Sequence, residues 1–295
     1  MTNIKKVLPG VKENILLKNY TTFRIGGPAK YFFVAKTKED LIKAILAAKK
    51  LKLPFFILGG GSNLLVSDKG FKGLIIRIMN QELRIKNQTI YAEAGKSLAL
   101  VVSKATENSL SGLEWAAGIP GTVGGAIRGN AGAFKKSMAD IVKTVEVFDA
   151  TESRIMNHEL SDCKFGYRDS VFKKNKNLII LSVKIQLKKG NKKKIKEKLK
   201  ECLDYRKRTQ PLGFPSAGSI FKNPVGFFAG ELIEKCGLKG KKIGKAKISE
   251  KHANFIVNLG EAEAKNIVEL IKLIKKEIKN RFNVELEEEI EYLGF

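Results

Sequence analysis

The chain is poor in the residues that build metal sites, disulfide frames and charge-relay triads. Its cysteines are three, Cys163, Cys202 and Cys236. They are odd in number, widely spaced and form no C-x-x-C pair, which argues for a reducing compartment and against a zinc site or disulfide framework. Its histidines are two, His158 and His252, so neither a His-based metal centre nor a Ser-His-Asp triad has much support. No apolar run reaches the ~18–20 residues that span a membrane. The first residues, Met-Thr-Asn-Ile-Lys-Lys-Val-Leu-Pro-Gly, lack an apolar h-region, so no signal peptide and a cytoplasmic location are expected. Acidic residues are outnumbered 30 to 55, for a net charge of +25. That balance suits anionic partners, and a basic nucleic-acid-binding protein is one remote reading. Yet only nine basic residues are Arg against 46 Lys, whereas sequence readers lean on Arg and aromatics. A lysine-rich solvated surface is the simpler account.

What is present is a hydrophobic fraction of 43% over 295 residues, enough for real cores in one large or two to three small domains. Thr37 with Asp40 three residues on marks a capped helix running to about Leu51. Phe55-Phe56-Ile57-Leu58 reads as a buried strand, followed by strands at 64–66 and 73–79. Residues 84–86 and 89–94 read as a hairpin, and 97–107 as an amphipathic helix. Strands are expected at 145–148 and 179–187, and a basic helix at 191–205. The last third has its own α/β pattern: a helix at 229–236 capped by Gly237, a strand at 255–257, a long helix at 261–281 and a strand at 284–293. Short β pieces around a turn are expected at 15–35.

Residues 112–134 stand out, with Trp115, the only tryptophan, and seven of the 27 glycines. The remainder is small or apolar, so the stretch is expected to be buried. Its glycines argue against a well-formed helix or strand. Buried irregular backbone must place its N–H and C=O groups somewhere. A large ligand is one destination; a glycine-rich packing corner is the other. Gly59-Gly60-Gly61-Ser62-Asn63 follows a buried strand and has the makings of a diphosphate nest or of a tight turn. It is neither a Walker A loop nor a G-x-G-x-x-G fingerprint.

Six motifs occur in order: Thr21-Thr22-Phe23-Arg24-Ile25-Gly26-Gly27, Leu58-Gly59-Gly60-Gly61-Ser62-Asn63-Leu64-Leu65, Gly118-Ile119-Pro120-Gly121-Thr122-Val123-Gly124-Gly125-Ala126, Asn130-Ala131-Gly132, Gly166-Tyr167-Arg168 and Ala217-Gly218-Ser219-Ile220-Phe221-Lys222-Asn223-Pro224. Together they resemble the UDP-N-acetylenolpyruvoylglucosamine reductase family, flavoenzymes of peptidoglycan precursor synthesis. The resemblance covers nearly the whole chain. It implies an α+β chain with a two-subdomain FAD-binding fold of the vanillyl-alcohol-oxidase (PCMH) type and a C-terminal α/β substrate-binding domain. The implied divisions are 1–75, 76–200 and 201–295, with the last strand returning to the active site. Implied too are FAD, NADPH as co-substrate, UDP-N-acetylglucosamine enolpyruvate as substrate, a monomer, and no nucleic-acid or membrane partner. Eight residues separate Arg168 from Asn177, which places the chain in the short-loop class. An FAD-dependent oxidase of the same fold, acting on an alcohol or hydroxy acid, is the alternative.

By resemblance, Arg24, Gly59, Gly60, Gly61, Ser62, Asn63, Gly118, Ile119, Pro120, Gly121, Thr122, Gly124, Gly125, Asn130, Ala131 and Gly132 hold FAD, and Tyr167, Lys207, Lys222 and Asn223 contact substrate. The basic role of Lys207 is shared with Arg208 as a second choice. Arg168, Ser219 and Glu289 are the catalytic candidates. A guanidinium can grip a carboxylate through two parallel bonds, though Arg168 also suits a salt bridge to Asp169. Glu289 lies among Glu287, Glu288 and Glu291, which alone reads as a solvated acidic strand. Ser219 alone reads as a turn hydroxyl. The resemblance makes Glu289 the partner of Arg168 on the enolate and Ser219 the proton donor.

Overall fold

A computed structural model describes residues 4–295. The chain divides into two compact units. One comprises Phe32–Gly60, Leu74–Tyr205 and the described part of Met1–Lys12; the other comprises Glu13–Tyr31, Gly61–Gly73 and Arg206–Phe295. Pro28–Ala35, Phe71–Ile78 and the helix Lys192–Thr209 each continue from one unit into the other along the chain.

In the first unit a five-stranded antiparallel sheet has the order Arg154–Glu159, Val142–Asp149, Leu178–Gln186, Thr89–Glu93, Leu83–Lys86. Its central strand, Leu178–Gln186, is buried on nearly every residue up to Val183, as a strand covered on both faces must be. The hairpin turns at Asn87, which adopts φ 55°, a left-handed value that Asn tolerates. Beside this sheet, Phe55–Leu58 runs parallel to Phe71–Ile78, with Phe55 opposite Leu74. The helix Lys38–Lys50 buries Leu41, Ala44, Ile45, Ala47 and Ala48. It starts where Thr37 and Asp40 mark it: Thr37 Oγ1 accepts the Asp40 N–H at 3.1 Å and Asp40 Oδ2 accepts the Lys36 N–H at 3.0 Å.

In the second unit, Lys242–Ile243, Ala246–Ile248 and Ile256–Asn258 form a three-stranded antiparallel sheet. The helix Ala264–Phe282 lays Ile267, Leu270, Ile271, Ile274 and Ile278 into the core. It begins at Ala264 rather than 261, because Asp68 Oδ1 accepts the Ala264 N–H at 2.8 Å and Glu263 forms a capping box with Asn266. The last strand is also shorter than 284–293. Regular pairing is confined to Glu291–Leu293, parallel to Leu64–Val66, with one isolated bridge from Glu288 to Phe221. No helix among the described residues is long and apolar enough to cross a membrane.

Most of 112–134 is irregular, as its glycines lead one to expect, with one exception. Val123–Arg128 is helical, with Thr122 Oγ1 accepting the Gly125 N–H at 3.3 Å. A helix-interior glycine costs about 1 kcal/mol. Here packing offsets it: Val123 and Ile127 are fully buried, and Gly124 donates to Ala94 O at 2.9 Å. Burial is likewise partial. Leu113 to Ala117 are buried, whereas Gly118 and Pro120 are exposed. Within 15–35 the turn occupies 21–27, where Thr21 O accepts the Arg24 N–H at 3.1 Å, and the strands are Lys12–Leu16 before it and Pro28–Ala35 after it.

Candidate active site

The two glycine segments meet in the first unit. A Cβ on Gly60 would stand 2.7 Å from Gly121 Cα, and one on Gly59 2.6 Å from Thr122 Oγ1. Only hydrogen at those positions lets the two backbones touch. Much of the 112–134 backbone is satisfied internally: Ile119 N–H bonds Ala116 O, Val123 N–H bonds Lys96 O, and Ala131 N–H bonds Ala126 O. Among the described residues, the N–H groups of Gly60, Gly121 and Thr122 find no acceptor. Adjacent free donors without side chains fit a ligand with several anionic oxygens, such as a dinucleotide pyrophosphate.

Farther along the same segment, Asn130 is 6% exposed at φ 41°. Its Nδ2 donates to Gly166 O at 2.8 Å and its Oδ1 accepts the Ala139 N–H at 3.1 Å. Arg168 Nη2 donates to Gly132 O at 2.9 Å. The Gly-Tyr-Arg turn is thus stapled to Asn130-Ala131-Gly132. Tyr167 is exposed, with the Arg168 guanidinium 5.4 Å from its ring centre. Arg168 sits at φ 55°, a strained value of the kind that clusters at functional sites. Asp169 is paired with Lys174 at 2.6 Å.

The second unit gathers another part of the candidate set. At Gly61, φ is +62°, and a Cβ would collide with the Tyr20 carbonyl. Gly61 O accepts the Thr22 N–H at 3.1 Å. Asn63 Nδ2 donates to Glu289 O at 3.0 Å, and Asn63 O accepts the Glu291 N–H at 3.0 Å. The segment with Ser219 joins the same residues: Ile220 O accepts the Glu289 N–H at 2.8 Å, and Glu287 O accepts the Lys222 N–H at 2.9 Å. Lys222 Nζ is ion-paired with Glu287, and Asn223 Oδ1 accepts the Ala229 N–H at 3.1 Å. Asn63, Ser219, Lys222 and Glu289 are therefore one backbone-linked cluster.

Arg24 lines a cavity of about 840 Å³ with Lys18, Asp68, Phe214 and Asn258. Lys207 and Arg208 are exposed, and Lys207 O accepts from Lys251 Nζ. Among the described residues no group of three or more His, Cys, Asp or Glu is placed to hold a metal.

Sequence reasoning missed Asn254 and Asn258. Asn258, 2% exposed, donates to Phe23 O at 3.0 Å and accepts the Gly260 and Ala262 N–H groups at 2.8 and 3.0 Å. The available signal was asparagine beside the apolar run Phe255-Ile256-Val257, since a polar side chain there must bond backbone.

Comparison with known proteins bears on this arrangement. Residues 210–293 match the family described as UDP-N-acetylenolpyruvoylglucosamine reductase, C-terminal domain, and residues 29–155 match the FAD binding domain. The UDP-N-acetylenolpyruvoylglucosamine reductase of Caldanaerobacter subterraneus subsp. tengcongensis is 45% identical over 281 residues, 94% of this chain and 92% of the relative. That of Alkaliphilus oremlandii is 42% identical over 99% of this chain and 96% of its own. The crystal structure of UDP-N-acetylenolpyruvylglucosamine reductase from Thermus caldophilus superposes with a TM-score of 0.83 at 39% identity, covering 95% of this chain and 98% of that one. The fold is α+β, with an FAD-binding region of the vanillyl-alcohol-oxidase type and the family's C-terminal domain.

Proposed function

Since the chain belongs to the UDP-N-acetylenolpyruvoylglucosamine reductase family, and is thereby an FAD-dependent oxidoreductase of peptidoglycan precursor synthesis, we propose that it reduces UDP-N-acetylglucosamine enolpyruvate to UDP-N-acetylmuramate with NADPH. The observation that carries the reading is the side-by-side pair of glycine loops with unengaged N–H donors. Gly59, Gly60, Gly121 and Thr122 would hold the FAD pyrophosphate, with Gly118, Ile119, Pro120, Gly124, Gly125, Ala131 and Gly132 along the rest of it. FAD, when bound, would supply two-electron hydride chemistry between NADPH and the enolpyruvyl double bond.

This chain's own residues then manage charge and proton. Arg168 would grip the enolpyruvyl carboxylate, where negative charge develops as hydride adds to one carbon of the double bond, and Glu289 would assist on the enolate as the neutral acid, donating a hydrogen bond. Ser219 Oγ–H gives its proton to the other carbon, and the alkoxide regains a proton from water. The sum is one hydride and one proton added across the double bond, with NADPH oxidised to NADP+. Positioned acid catalysis contributes about 10²–10⁴-fold. Tyr167, Lys222, Asn223 and Lys207 bind substrate, and residues 201–295 form the substrate-binding part.

The test takes purified protein with bound flavin, whose visible absorbance NADPH bleaches. Ser219→Ala is expected to be reduced by NADPH normally and to stall when the UDP-sugar is added. Colourless protein that FAD cannot reconstitute refutes the flavoenzyme reading, and normal turnover by Ser219→Ala removes Ser219 from its role.

A further inference from the structure

The peptide that carries Ser219 is held by a residue that no motif pointed to. Asn254 is 4% exposed and lies just before the strand Ile256–Asn258. Its backbone O accepts the Ile220 N–H at 2.8 Å. Its side chain spans Phe221 at both ends: Oδ1 accepts the Phe221 N–H at 2.9 Å and Nδ2 donates to Phe221 O at 2.8 Å. Its own N–H donates to His252 Nδ1 at 3.3 Å, so the turn that presents it is also fixed. The next residue, Phe255, is bridged to Ser219. On the opposite edge, Ile220 O accepts the Glu289 N–H at 2.8 Å. Ile220 is thus a rung, with Asn254 on one side and Glu289 on the other. All of these residues belong to the same compact unit.

We propose that Asn254 is a positioning residue that fixes the Ser219 hydroxyl against Glu289 for the protonation step. The inference rests on the reading of Ser219 as proton donor. The need for a clamp follows from what precedes Ser219: Gly218 lies at φ +79° and has no side chain with which to anchor the turn. The need for an amide follows from Phe221, 1% exposed, whose N–H and C=O demand an acceptor and a donor at once. The planar amide of Asn carries the acceptor and the donor on two separate atoms, so one side chain meets both groups of Phe221 at once. A misplacement of about 1 Å at a reacting group can cost on the order of 10²-fold in rate.

The test compares the two half-reactions of the FAD-loaded enzyme in stopped flow. Asn254→Asp keeps the acceptor for the Phe221 N–H but turns a carboxylate oxygen toward the Phe221 carbonyl. Flavin reduction by NADPH is expected at the wild-type rate. Reoxidation by the UDP-enolpyruvyl sugar is expected to slow on the order of 10²-fold, with a larger solvent deuterium isotope effect because proton delivery then limits it. Asn254→Ser, neutral and shorter, serves if the aspartate variant does not fold. Amide exchange at Phe221 should quicken in either. Equal slowing of both half-reactions, or of neither, overturns the proposal. Ser219→Ala separates the two ideas: if it turns over normally, the reading of Ser219 falls; if it stalls while Asn254 variants do not, only the clamp falls.

Discussion

Replacing Gly60 by alanine should weaken FAD binding without unfolding the protein. The new Cβ would stand 2.7 Å from Gly121 Cα, and ordinary contact begins at 3.4 Å, so the loops must part by at least 0.7 Å. Gly60 does not have positive φ, so alanine brings no left-handed strain and the cost is local. A shift of 0.7 Å stretches a hydrogen bond of about 2.9 Å to about 3.6 Å, no longer a hydrogen bond. Losing one bond to a charged acceptor costs about 1.5–3 kcal/mol, or roughly 10- to 150-fold in the FAD dissociation constant. Flavin fluorescence during titration of the FAD-stripped variant measures this. Gly213→Ala is the control: nothing lies within 4 Å and its φ is not positive. It should bind FAD normally and gain about 0.4–1 kcal/mol of stability through the unfolded chain. Wild-type FAD affinity in Gly60→Ala would refute the assignment of these loops.

Two further predictions concern stability. Thr37→Ala removes the cap on the Asp40 N–H and should cost about 1 kcal/mol, lowering Tm by about 2–4 °C; an unchanged Tm would contradict the cap. Burial, assisted by Asp162 and Glu159, pushes the Cys163 thiol from its ordinary 9.0 up to about 12. The folded state then holds a proton that the unfolded chain releases. That contribution is complete below pH 9.0 and is lost as pH rises through about 12. Denaturant midpoints above pH 9.0 should fall less steeply in Cys163→Ala than in wild type, and parallel slopes would show that Cys163 is not responsible.

Much of this protein was determined locally. The Thr37 cap, the hairpin at Asn87, the strand Phe55–Leu58 (though only Leu58 of it is buried) and the apolar stripe Ile267-Ile271-Ile274-Ile278 are short-range effects, readable from spacing. So was the glycine-rich character of the two segments around Gly60 and Gly121. Their contact was not, because it depends on which backbones pack, and that is long-range. The helix at Val123–Arg128 escaped for the same reason: packing of Val123 and Ile127 outweighs the propensity of Gly124 and Gly125. The terminal acidic run alternates in sequence, but the chain pairs regularly only from Glu291 onward. The Asn63–Glu289 link joins residues 226 positions apart. Asn254, 33 positions from the peptide it clamps, could be seen only once tertiary structure had buried Phe221 and left its backbone in need of a partner.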